Sequence, residues 1–388
     1  MDTGETNGVD AIRESAAPVG AEDAGAFLDA TDFLRELWYF AGLGKDLLKG
    51  DLVRKILLRE PVLIGRSKTG EVFALRDICP HRGMPLSNGK MTRENTIQCC
   101  YHGWRFTTKG VCTEIPSLTE DDRRDLSATR VQTYPAIEQD GLIWIFMPDF
   151  PTNHIRAGVS GVVEPAPKFP PPSIGIRDAK PRWVESQTFH CGVDHAVVGL
   201  MDPAHAHYVH KHWWWGWWGR PKEKIKQYES REMGFAMSKH KPTKGLYRFF
   251  LGPKVSTEII FMLPGLRFEN ISGALFGLFR MEFAGFTACT PIDSKTTQVT
   301  QIFYYRPSWF NLPKLFFIAF GKTFLTDDRM AVEKQRAGLE FEPKLIPMPD
   351  ADVPAMWYQQ IKKAWAKSVH ERKPFKNRVK TRELRWRS

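Results

Sequence analysis

The chain has 388 residues, 42% hydrophobic and 26% charged, with 13 Trp, 26 Phe and only 6 Cys. That length supports two domains with real cores, and so few cysteines exclude a small disulfide-bonded scaffold. The net charge of +11 is unevenly placed: from Lys362 to Ser388, eleven Lys and Arg face only Glu371 and Glu383.

The N-terminal segment "MDTGETNGVDAIRESAAPVGAEDAG" is acidic and rich in small residues, with no apolar signal-peptide core. It is expected to be partly disordered over residues 1–33. No apolar run reaches the roughly 18 residues a membrane-spanning helix needs. The richest, "LFFIAFGKTFL" from Leu315 to Leu325, is too short and contains a lysine. A soluble protein of the reducing cytoplasm is expected.

Residues 34–150 read as short strands broken by turns. "VRKILLRE", "PVLIGRS", "EVFALRD", "NTIQCCY" and "LIWIFMP" are β-like, and "KTG", "SNG" and "TKG" mark turns. The stretch "PAPKFPPPS" (Pro165 to Ser173) holds five prolines, so residues 151–173 are expected to be a stiff extended linker. An α+β pattern follows over residues 174–369. It opens with a helical run at "CGVDHAVVGL" and continues with strand-like runs from Glu229 to Tyr305. Helices are predicted over Leu312 to Phe341 and Pro354 to Val369. Residues 370–388 read as a basic tail, either solvated or meeting an anionic partner. No nucleic-acid-binding motif accompanies it. No glycine-rich nucleotide fingerprint follows any strand, so if the chain is a redox enzyme its nicotinamide and flavin chemistry must sit on another protein.

Between these strands lies a first metal-ligand pattern, Cys-x-His followed by Cys-x-x-His. It fits Cys79, His81, Cys99 and His102, leaving Cys100 as a bystander. Zinc modules more often pair cysteines with cysteines and histidines with histidines. Here each loop offers one of each, which suits a dinuclear centre with one thiolate-held and one imidazole-held iron. Gly83 and Gly103 let the loop backbone approach the cluster sulfurs.

A second pattern lies in "GLMDPAHAHYVH" as Asp202, His205 and His210, with His207 and His212 outside the spacing. Two imidazoles and a carboxylate on one face of an iron leave three positions open for dioxygen and substrate. The third ligand is sought in "FGKTFLTDDRMAVEKQR". On one helix, Asp328 falls within the apolar stripe of Phe317, Phe324, Val332 and Leu339, where a buried carboxylate needs a partner. Asp327 sits to one side and is expected to be an N-cap or one of a solvated acidic pair.

"CPHRG" and "CCYHGW", in the setting "ALRDICPHRGMPLSNG" and "FTTKGVCTEIPS", resemble the cluster loops of Rieske non-haem iron oxygenases. Asp202-x-x-His205-x(4)-His210 and the run from Asp328 to Glu333 resemble that family's catalytic iron motifs. The resemblance covers about Trp38 to Phe341. It implies an α+β chain, with an all-β Rieske 2Fe–2S domain before a helix-grip-like catalytic domain of antiparallel sheet and helix. It implies one Rieske cluster on Cys79, His81, Cys99 and His102, and one mononuclear Fe(II) on His205, His210 and Asp328. It implies a terminal oxygenase that hydroxylates or oxidatively demethylates a hydrophobic aromatic or polycyclic substrate. Electrons would come from NAD(P)H through a separate ferredoxin or flavin reductase. The assembly would be a head-to-tail homotrimer, in which the catalytic bridging carboxylate Asp202 links His205 to the partner subunit's His102. Ring cis-dihydroxylation is the alternative chemistry, and a Rieske electron carrier or a structural-zinc protein the alternative class. Relatives often carry Asn where this chain has Gly199, so a polar group beside the iron is expected to be missing. The stretch "HKHWWWGWWGRP" (His210 to Pro221) reads equally as an apolar access channel, a membrane- or partner-facing surface, or core packing.

Overall fold

The computed structural model describes residues 33–149, 166–176, 180–211, 221–241, 254–275, 279–306 and 314–388. The acidic segment over 1–32 and the tryptophan-rich stretch from 212 to 220 lie outside these residues, as does 150–165 of the proline-rich linker.

Three small antiparallel sheets build the N-terminal part. One joins β1 (Leu37–Leu43), β11 (Leu142–Met147) and β10 (Ala136–Gln139). A second runs β2 (Leu52–Leu57), β3 (Glu60–Arg66), β4 (Val72–Arg76) and β9 (Thr133–Tyr134). The third, β5 (Lys90–Met91), β6 (Thr96–Gln98), β7 (Arg105–Thr107) and β8 (Cys112–Glu114), carries the Cys99 loop at its β6–β7 turn. Its core of Leu63, Leu75, Leu86, Ile97 and Phe106 also contains Cys79, Cys99 and Cys112.

One eight-stranded antiparallel sheet dominates the rest. Its order is β12 (Trp183–Phe189), β18 (Thr296–Arg306), β17 (Phe279–Asp293), β16 (Leu266–Leu275), β15 (Ser256–Met262), β14 (Gly234–His240), β13 (Glu223–Arg231) and β19 (Arg382–Arg387). Pleating divides it into two faces. On one face Phe268, Phe286, Ile302 and Tyr304 pack against Trp38, Phe40, Trp144 and Phe146, fastening the N-terminal part to the sheet. The helices pack on the other: α1 (Val193–Met201), α3 (Lys314–Leu339) and α4 (Val353–His370), with the short α2 (Ala206–Val209) after α1. Among the described residues, no helix is long and apolar enough to cross a membrane.

A buried ion pair ties α1 to α4. The Asp194 carboxylate accepts from Lys362 Nζ at 2.7 Å and from Tyr358 Oη at 2.9 Å, with both carboxylate and amine buried. This fixes α1 at its start, so its far end delivers Asp202 to a defined place.

One expectation changes. The basic 370–388 segment contains β19, whose Leu384 and Trp386 point into the core while the intervening charges face out. Strand pairing with β13 and burial of those two side chains outweigh repulsion among exposed charges. The described end of the linker is held by hydrogen bonds. Trp38 Nε1 donates to Phe169 O at 2.8 Å, Gln139 Nε2 to Pro171 O and Pro172 O at 3.1 Å each, and the Ile174 amide to Asp140 at 2.8 Å.

Candidate functional site

The two cysteine loops share one backbone pattern. The Cys79 amide donates to Met84 O and the Gly83 amide to Cys79 O, at 2.8 and 2.9 Å. Twenty residues on, the Cys99 amide donates to Trp104 O and the Gly103 amide to Cys99 O, at 2.8 and 3.2 Å. Each turn closes at a left-handed residue, Gly83 at φ 72° and Gly103 at φ 73°, which only glycine adopts without strain. Asp77 braces the first loop by accepting from the Ser87 amide and hydroxyl, both at 2.7 Å.

These matched turns aim all four side chains at one spot. Cys79 and Cys99 are buried, while His81 and His102 lie toward the surface with ring centroids 4.4 Å apart. Trp104 stacks on His81 at 4.8 Å and 4°. Cys100 is exposed and faces away from the core. Burial, with help from the Cys99 thiol, pushes the Cys79 thiol up to about 12. His102 is held below the ordinary imidazole value by partial desolvation, His81 and Arg82.

The second group forms where α1, α2 and α3 meet. α1 ends at Asp202, which caps it with non-helical backbone, and Pro203 follows. His205 and His210 flank α2, and Asp328 comes from the middle of α3. One ligand atom from each of His205, His210 and Asp328 lies within 4.8 Å of the others. His205 Nε2 stands 3.3 Å and His210 Nε2 3.2 Å from Asp328 Oδ1. Asp202 Oδ2 lies 3.6 Å from His205 Nδ1, and its Oδ1 accepts from the Ala204 amide at 2.7 Å. His207 is outside this cluster and meets Tyr208 edge-on.

Three comparisons bear on this geometry. A family model described as a Rieske [2Fe-2S] domain matches residues 37–135. The dicamba O-demethylase oxygenase component of Stenotrophomonas maltophilia is 34% identical over 181 residues, 46% of this chain and 48% of that protein. The toluene-4-sulfonate monooxygenase iron-sulfur subunit of Comamonas testosteroni is 36% identical over 117 residues, 30% of this chain and 32% of that protein. The crystal structure of dicamba monooxygenase bound to dicamba aligns over 88% of this chain and 99% of its own, with a TM-score of 0.65 and 22% identity. Residues 37–135 are a Rieske [2Fe-2S] domain. The matched stretches span less than half the length of these two curated relatives, while the structural likeness extends over both parts of the fold.

The residues present fit both metal groups. Two buried thiols and two surface-facing imidazoles on paired loops are the mixed donor set of a Rieske [2Fe–2S] cluster. A thiol buried as Cys79 is stays protonated near neutrality unless a metal takes the proton's place. In the second group, His205 Nε2 and Asp328 Oδ2 are buried with no well-aligned hydrogen bond among the described residues, although buried polar atoms are ordinarily satisfied. Burial acts to raise the Asp328 carboxyl, but His205 and His210 outweigh it and hold the group below its usual range. Burial acts to lower His205, yet Asp202 and Asp328 raise it to about 9. The pocket therefore attracts positive charge, as a divalent iron site must.

The sequence expectation for Asp327 is corrected. It is neither an N-cap nor part of a solvated pair. It lies mid-helix with its side chain 14% exposed, and Oδ2 stands 3.3 Å from His210 Nδ1. The helical pattern placed it beside the apolar stripe, but His210 arrives from another element and covers it. Gly199 also has a packing role. A Cβ there would meet Val332 Cγ2 at 2.8 Å, so glycine lets α1 approach α3 one turn from Asp202 and Asp328.

Proposed function

We propose that this chain is the terminal oxygenase component of a multi-protein system. It would hydroxylate or oxidatively demethylate a hydrophobic aromatic or polycyclic compound, using dioxygen and electrons from an external ferredoxin or reductase. The observation that carries this reading is the coexistence, in one chain, of the paired Cys–His loops and the His205–His210–Asp328 cluster. A Rieske cluster alone would serve an electron carrier. A second site with three converging ligands supplies a place to use the electrons.

In this reading Cys79, His81, Cys99 and His102 hold the [2Fe–2S] cluster, and His205, His210 and Asp328 hold a mononuclear iron. When bound, the cluster supplies single electrons and the iron supplies dioxygen activation. The protein supplies orientation and a dry setting. Asp328 and His210 are buried, and Phe324 stacks on His210 at 4.2 Å and 18°. Likeness to a dicamba O-demethylase and a toluene-4-sulfonate monooxygenase supports an aromatic substrate and a monooxygenase outcome.

A head-to-tail homotrimer is part of the proposal. His102 lies toward the surface beside Tyr101, 52% exposed, and Asp202 keeps 34% of its side chain exposed, with Tyr208, 61% exposed, on the following α2. Joining these faces between neighbours would cover both aromatics and set Asp202 between His205 and the partner subunit's His102. Asp202→Asn should then retain both metals yet nearly abolish turnover.

The test is low-temperature EPR of the iron-replete, dithionite-reduced protein with nitric oxide. A Rieske signal together with a high-spin ferrous nitrosyl signal supports the oxygenase. A Rieske signal alone leaves an electron carrier and overturns it. Adding methoxylated, sulfonated and polycyclic aromatics in turn identifies the compound class that reshapes the nitrosyl signal.

A further inference from the structure

We infer that Asp327 is a positioning residue that holds His210 as an Nε2 ligand, and that this role is separable from that of Asp202. The inference rests on the iron-site reading above. Helix α3 carries Phe324, Asp327 and Asp328 at spacings of three and four, so they share one face. All three meet the same imidazole. Phe324 stacks on its plane, Asp327 Oδ2 lies 3.3 Å from Nδ1, and Asp328 Oδ1 lies 3.2 Å from Nε2.

A carboxylate only accepts, so once Nε2 is given to a metal, Asp327 favours the tautomer with the proton on Nδ1 and the lone pair on Nε2. That lone pair then points to where His205 Nε2 and Asp328 converge. The ring has little freedom left, because the His210 side chain is 1% exposed. Its two in-plane directions are fixed by adjacent carboxylates of one helix. A carboxylate behind an imidazole also strengthens it as a donor.

His205 has the same arrangement in weaker form. Asp202 Oδ2 stands 3.6 Å from Nδ1, beyond good hydrogen-bond length, and the Asp202 side chain is 34% exposed against 14% for Asp327. Asp202 also sits on non-helical backbone at the end of α1 and bonds the Ala204 amide. Asp327 is fixed within α3 and faces inward. One outer carboxylate is therefore built to hold the metal's ligand, and the other is placed to communicate outward.

The experiment compares Asp327→Ala, Asp327→Asn and Asp202→Asn in the full chain with its Rieske cluster loaded. Metal affinity is read by titration with Fe(II), and separately with Co(II) followed by its visible absorption. The nitrosyl EPR line shape reports the ligand field, and the Rieske signal reports folding. Asp327→Ala should weaken metal binding by about 10- to 100-fold. Asp327→Asn, which can still accept from Nδ1 through its amide oxygen, should recover part of that loss. Both should shift the nitrosyl line shape and leave the Rieske signal intact. Asp202→Asn should bind metal within about two-fold of the parent, well below the 10- to 100-fold expected for loss of a ligand's outer partner. Unchanged affinity and line shape in both Asp327 variants would overturn the inference. So would equal weakening in Asp202→Asn. If Asp327→Ala fails to fold, Asp327→Asn decides by the same readings. Absence of metal binding in the parent chain would overturn the iron-site reading itself, a result distinct from loss in the variants alone.

Discussion

Substituting Gly199 tests whether the close contact of α1 and α3 sets the site. In Gly199→Ala the new methyl would stand 2.8 Å from Val332 Cγ2, against about 3.5–4.0 Å for carbons in good contact. Val332 is 6% exposed and β-branched within a helix, so it has little room to rotate away. Overpacking of this kind costs about 1–3 kcal/mol. Removing a glycine from a helix returns at most about 1 kcal/mol, so the net expectation is a loss of up to about 2 kcal/mol. In a Val332→Ala background the clash is gone, and the same substitution should stabilise by up to about 1 kcal/mol. The double-mutant cycle should therefore show a coupling of about 1–3 kcal/mol. Denaturant midpoints of the four iron-loaded proteins measure it, with the nitrosyl signal as a local readout because Asp202 and Asp328 lie one turn away. If Gly199→Ala stabilises both backgrounds equally, the close approach is not what glycine is there for. Gly199→Asn should fit this chain only with a smaller residue at 332.

Lys362→Met leaves Asp194 buried beside Tyr358 without its cation, and should cost about 3–5 kcal/mol in a denaturation experiment; a loss below 1 kcal/mol would mean α1 and α4 separate and hydrate the carboxylate. Cys99→Ser should abolish the cluster's visible absorption and Rieske EPR signal, whereas Cys100→Ser should keep both, and iron with acid-labile sulfide analysis settles each case. His195 predicts a pH effect. Burial lowers its pKa below the ordinary 6.5, opposed by Asp194 and reinforced by Arg336. The unfolded chain then takes up a proton that the folded chain resists, so stability falls as pH drops from 6.5 to the folded value and is unaffected well above 6.5. His195→Leu should flatten the acid limb of Tm against pH, and an unchanged slope would assign that limb to other groups.

Much of the chain was legible because its signals are local. The strand runs "PVLIGRS" and "EVFALRD" became β3 and β4, and the predicted helix over Leu312 to Phe341 became α3, Lys314–Leu339. The choice between Cys99 and Cys100 was also local. Spacing from His102 favoured Cys99, which is 3% exposed, while Cys100 is exposed. Asp328 was legible because a carboxylate in an apolar stripe is a local contradiction that a partner must resolve. The C-terminal strand was present in the alternation of "RELRWR", with Leu384 and Trp386 on one face. Counting charge there hid a period of two.

What could not be read was where two distant segments would meet. Asp327 looks unremarkable on α3, and His210 alone has no visible need of it. Their relation exists only after α1 is fixed by the Asp194–Lys362 pair and brought against α3 at Gly199 and Val332. The same logic separates the two metal groups. The paired loops carry their geometry in local backbone turns, each closed by a left-handed glycine. The His205–His210–Asp328 group depends on the packing of three helical segments. Mutations that loosen helix packing should therefore disturb the mononuclear site while sparing the cluster. The Rieske signal accordingly serves as an internal control in each of the helix-packing variants above.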